Sequence, residues 1–135
     1  MRRFPIPEYD DVKWVPEGII WNRIDGGGYI TRFVSTPFSM TSEHAQGSML
    51  DTVANKKSTS NKLIKYYTAY HYLSEFLSWL SLKEKMRYSV LYLAIGRITN
   101  KHKSYREAIK RMPKASKIYL VLASPVACIY ENKNK

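Results

Sequence analysis

Cysteine is almost absent: Cys128 stands alone among 135 residues. An internal disulfide and a cysteine-built metal cluster are therefore excluded, and the residue reads as a small buried hydrophobe. Long apolar runs are absent too. The longest uncharged apolar stretch, Ile118 to Tyr130, is too short to span a bilayer and contains Pro125. After Met1-Arg2-Arg3 come Pro5, Pro7, Glu8, Asp10 and Asp11, where a signal or transit peptide would need apolar or basic residues. These gaps predict a protein that is neither secreted through a signal peptide nor transmembrane.

Catalytic and metal-binding patterns are missing as well. His44, His71 and His102 fall on separate predicted elements, and no H-x-x-E, H-E-x-x-H or His/Cys pair occurs. Asp10 and Asp11 are adjacent, and neighbours on an extended chain point apart. Gly26-Gly27-Gly28 lacks the strand-to-helix context and the downstream lysine of a phosphate loop, so it reads as a hinge. No spacing suggests a Ser/His/Asp or Cys/His arrangement. The expectation is a non-enzyme with no cofactor, no metal and no small-molecule substrate.

Acidic residues are scarce where basic ones are dense. Residues 1–50 carry five Lys/Arg and six acids, whereas residues 51–135 carry seventeen and five. The excess peaks at Arg97, Lys101, Lys103, Arg106, Lys110, Arg111, Lys114 and Lys117, opposed only by Glu107. With a formal net charge of +11, such a field attracts polyanions and repels its own copies. Lys103, Arg106, Lys110 and Lys114 recur at helical steps, a pattern that contacts phosphates without reading bases. Nucleic acid is the expected partner, and those eight residues are the expected binding set. His102, beside Lys101 and Lys103, reads as part of the patch. Eleven tyrosines fit either an interface or ordinary helix packing.

The pattern predicts a mainly α fold: a small helical bundle over 41–135, with basic late helices, preceded by an extended N-terminal arm over 1–40. Pro5, Pro7, Pro16 and Pro37 oppose helix in the arm, and Asp25-Gly26 between Ile19–Ile24 and Tyr29–Val34 is a hairpin signal. The arm carries large anchors, among them Phe4, Trp14, Trp21, Phe33 and Phe38, expected to dock on a neighbouring copy or on the chain's own core. A short helix is expected within 39–55 and a polar loop over 55–61. The strongest helical period runs from Lys62 to Leu80. Ser81-Leu82-Lys83-Glu84 is a capping box opening a helix to about Asn100, and Ser104-Tyr105-Arg106-Glu107 is a second. Pro113 stops or kinks that last helix. Ile118 to Tyr130 fits either a helix broken near Pro125 or two short strands.

An aromatic arm from Arg2 to Met40, helices from Lys62 to Asn100 and a basic stretch from Arg97 to Lys117 suggest a protein that wraps nucleic acid and binds its neighbours. In this organisation the chain resembles the major coat proteins of filamentous archaeal viruses, small helical bundles with an N-terminal arm, pairs of which enclose double-stranded DNA. The resemblance implies a self-assembling virion nucleocapsid subunit, located in a virion or inside a cell. It implies double-stranded DNA and other copies of itself, or a related coat subunit, as partners. It transfers no individual residue. Two other classes stay open: a ribosomal or organellar-ribosome protein, disfavoured by the net acidic arm, and a basic accessory subunit of a large complex that meets an acidic partner.

Overall fold

A computed structural model describes residues 4–12, 15–29 and 59–134. The architecture is mainly α, as expected. The described residues form α1 (Gly18–Gly26), α2 (Thr59–Glu75), a 3-10 turn at Leu77–Trp79, α3 (Leu82–Ile98), α4 (Tyr105–Arg111) and α5 (Lys114–Asn134), with no strand among them. Trp14, Phe33, Phe38 and the helix expected within 39–55 lie outside the described residues.

Helix α3 is the centre, with α2 on one side and α5 on the other. The core is built from Leu63, Tyr66, Ala69 and Leu73 of α2, Tyr92 to Ile95 of α3, Ala108 and Met112, and Leu120, Ala123 and Ala127 of α5. On α5 the buried positions Ser116, Leu120, Ala123, Ala127 and Glu131 recur every three or four residues, so one stripe faces inward. Small residues on that stripe let α5 lie close to α3. The buried Ser116 hydroxyl donates to the Leu73 carbonyl, tying α5 to α2 as well.

Local chemistry sets the helix ends. The predicted box at Ser81 is complete: Glu84 N–H donates to Ser81 Oγ at 3.4 Å and Ser81 N–H to the Glu84 carboxylate at 2.9 Å. At α4 half of the predicted box forms, with Glu107 N–H on Ser104 Oγ at 3.2 Å. The Glu107 carboxylate accepts from Lys103 N–H instead, at 2.7 Å. Asn100 turns the chain after α3 in a left-handed conformation, φ 58°, which asparagine tolerates.

Several expectations are corrected. Helix α2 ends at Glu75, so Leu77 and Leu80 fall outside it, because Phe76 leaves helical geometry at φ −117°. Ile118 to Tyr130 is one continuous helix, not a broken one and not strands. Pro125 cannot donate to the carbonyl of Val121, and the Ser124 hydroxyl donates there at 2.8 Å in its place. Cys128 is exposed, because it falls off the inward stripe of α5. Within the arm, Gly18–Gly26 is helical, which removes the hairpin over Ile19–Ile24. Pro16 stands just before this helix, where a proline costs nothing. Gly26 ends it, and Gly28 follows at φ +81°, so the glycines terminate a helix where a hinge was expected.

Gly96 is held by a close approach. A Cβ there would enter the ring of His102 and lie 2.8 Å from Tyr66 Cε2. Gly96→Ala should therefore lower the unfolding free energy by about 2 to 3 kcal/mol, as overpacking does. Were the space open, alanine would raise it by about 1 kcal/mol through helix propensity, so the sign of the change in a urea titration decides.

Candidate nucleic-acid interface

The eight expected cations divide into two groups. Three are engaged internally. Arg97, half-buried at the end of α3, lies 3.8 Å from the buried Glu131 carboxylate and donates to the Lys103 carbonyl. Lys101 pairs with Asp11 and sits 5.3 Å from the centre of the Tyr67 ring. Its hydrogen bond to Asp11 raises its pKa. Arg111 reaches Glu107 at 2.5 Å and the Lys101 carbonyl at 3.0 Å. These bonds brace the turn between α3 and α4.

The other five, Lys103, Arg106, Lys110, Lys114 and Lys117, have no carboxylate partner among the described residues. The first four are exposed and Lys117 is half-buried. Arg106 and Lys110 share one face of α4, one helical turn apart. Met112 takes an extended conformation, φ −94° and ψ 154°, so the stripe breaks before Lys114 and resumes at the start of α5. Glu107 stands inside this cluster, but it accepts from Lys103 N–H, which is the first cause of its lowered pKa, and pairs with Arg111. Its charge stabilises the turn and makes no ion pair with the five cations, though it feels the charge of Lys103.

His102 is not part of this surface. It is 2% exposed, and its Nε2–H donates to the Leu93 carbonyl at 3.0 Å. Burial, the first cause, lowers its pKa. The space left by Gly96 draws the ring inward, a long-range fit invisible beside Lys101 and Lys103 in the chain.

The described part of the arm is spent on its own bundle. Val15 and Ile19 are buried with Phe76. Phe4 meets Tyr29 edge-to-face at 5.6 Å, while Trp21 remains 55% exposed. Arg23 grips Glu75 with two hydrogen bonds of 2.7 Å and donates to the Pro5 carbonyl at 2.8 Å. Tyr67 donates to Asp11 at 2.9 Å.

One cluster has no counterpart in the sequence pattern. The Tyr9 hydroxyl meets His71 Nε2 at 2.7 Å, and His71 Nδ1 meets Glu75 at 2.6 Å. A hydroxyl, an imidazole and a carboxylate in line suggest an activated nucleophile. Here, however, burial pushes the Tyr9 phenol up to about 12, so the phenol stays protonated and donates to the imidazole. The chain of bonds fastens the arm to α2. No local signal announces it, because Tyr9 and His71 lie 62 positions apart.

Among the described residues no group of His, Cys, Asp or Glu could hold a metal ion, and no described helix is long and apolar enough to cross a membrane. No family model, curated protein or solved structure matches this chain.

Proposed function

We propose that this chain is a structural subunit that coats double-stranded DNA through its phosphates, without sequence preference, and packs against copies of itself as a virion coat protein does. The observation that carries the reading is the run of five cations from Lys103 to Lys117, along α4 and the start of α5, that have no carboxylate partner among the described residues. Their neighbours Arg97, Lys101 and Arg111 are held by internal bonds that fix the backbone carrying the five, although the five exposed side chains themselves must still be ordered on binding. The cluster offers point charges and a guanidinium fork, which position a phosphate backbone but carry no base-reading register.

Five phosphate contacts should give a log–log salt slope of about −4 to −5 on B-form duplexes. Fluorescence anisotropy with two unrelated duplexes, from low to high salt, measures it. A flat response, or strong preference for one duplex, overturns the reading. Equal or tighter binding to structured RNA would favour the ribosomal alternative.

A further inference from the structure

We infer that the outward face of α5 is the seam on which a second copy of this chain packs, antiparallel. The inference deepens the coating function proposed above, but its geometry stands apart from the DNA surface. Opposite the buried stripe of α5, five aliphatic side chains, Ile118, Val121, Leu122, Val126 and Ile129, are each 53–62% exposed, and Pro125 lies among them. Side chains of this size expose roughly 500 Å² together, at the level where an apolar patch marks an interaction site. Two copies would bury about 1,000 Å², the lower bound for a specific interface.

Charge selects the occupant. No charged residue occurs between Lys117 and Glu131, and Glu131 is buried. An acidic partner protein would find no cation inside this face. A membrane-surface helix keeps a basic polar face and aromatic anchors on its apolar one, whereas here the opposite face of α5 is sealed in the core and the exposed one is aliphatic. A second copy needs neither. It brings an uncharged surface against an uncharged surface, which a chain of net charge +11 can do only at such a place.

Charge also selects the direction. Parallel pairing would put the two clusters from Lys103 to Lys117 side by side. Antiparallel pairing about the middle of the stretch, between Leu122 and Pro125, sets the two Lys114 residues about 30 Å apart along the seam. That exceeds the Debye length of about 10 Å near 0.1 M salt. It also approaches the repeat of a B-form duplex, about 34 Å, so one pair could meet the same strand a turn apart. In this register Lys133 of each copy lies level with Lys114 of the other, one lysine pair at each end in place of the whole cluster side by side, and the free carbonyls of the helix C-terminus offset part of that charge.

The full chain without DNA should sediment as a reversible dimer, and Leu122→Ser with Ile129→Ser should weaken it at least tenfold with unchanged circular dichroism. In a Cys128→Ser background, air oxidation of Leu122→Cys should yield a disulfide-linked dimer, two thiols passing two protons and two electrons to dioxygen. Ile118→Cys should not, because antiparallel pairing separates its copies by about 16 Å. A monomeric chain overturns the seam, as does efficient linkage through Ile118→Cys. Flotation of the monomer with anionic vesicles would assign the face to a membrane and overturn it. A monomer that melts lower when Leu122 is changed would place a segment of the same chain there and overturn it too. DNA binding by anisotropy is read separately: a monomer that still binds leaves the coating function intact, and a dimer that does not bind removes that function but keeps the seam.

Discussion

Arg106→Glu with Lys110→Glu should weaken binding to duplex DNA by about a hundredfold or more at low salt. Each reversal replaces an attraction by a repulsion, and one charge–phosphate contact at 4 Å in water is worth about 1 kcal/mol. Four such changes approach three decades, and screening at the exposed surface reduces that. Both side chains are exposed on one face of α4, so folding stability should move by no more than about 0.5 kcal/mol. The control is Lys65→Glu with Lys83→Glu, two exposed lysines on α2 and α3 with the same total charge change. Lys101→Glu makes a sharper contrast. It breaks the pair with Asp11, so it should cost stability more than affinity. Equal loss of affinity in both double variants would mean that only bulk charge matters, and the α4 assignment would fall.

Those expectations separate residues that look alike in the sequence. The basic stretch is legible from composition, and helical steps place Arg106 and Lys110 together. What composition does not carry is which cations are already used. Arg97, Lys101 and Arg111 are consumed by Glu131, Asp11 and Glu107, two of which lie far away in the chain. The helices and the caps at Ser81 and Ser104 are readable because they are made by residues three or four positions apart. Pro125 is ambiguous in sequence because its rescue by Ser124 depends on a hydroxyl rotamer. The arm reads as extended at Gly18–Gly26 because its prolines and glycines flank the helix and stay out of its middle. His102 reads as a surface residue because its burial follows from the missing side chain at Gly96, six residues earlier. For Arg97, Lys101 and His102 a contact between elements overrides a local preference, whereas at Pro125 and at Gly18–Gly26 the cause lies within one helix.

Acid should destabilise this protein well above the range where its carboxylates titrate. His71 and His102 are 4% and 2% exposed, and burial, the first cause in both, lowers their pKa. Around His71, Glu75 favours the proton while Arg23 opposes it. Around His102, Glu107 favours it while Arg111 and Arg97 oppose it. In both cases the folded state binds the proton less readily than the unfolded chain. The stabilisation from neutral imidazole is therefore complete above the unfolded value, about 6.5, and is lost as pH falls from there through the lowered folded values. In that window each histidine adds up to about 1.4 kcal/mol per pH unit to the slope of stability, so two give up to about 2.7. Glu75, held down first by its hydrogen bonds from Arg23, and Asp11, lowered with Lys101 and Tyr67 as its donors, keep their contribution above the ordinary carboxylate range. They lose it only at lower pH, so the two windows separate. Urea denaturation from pH 8 to 4.5 reads the first window. His71→Gln with His102→Gln removes both titrating rings while leaving an amide donor at each site. The double variant should be less stable at pH 8 yet nearly flat to pH 5. A wild-type curve already flat between pH 7 and 5, or an equal slope in the variant, would show that neither buried imidazole governs the acid response.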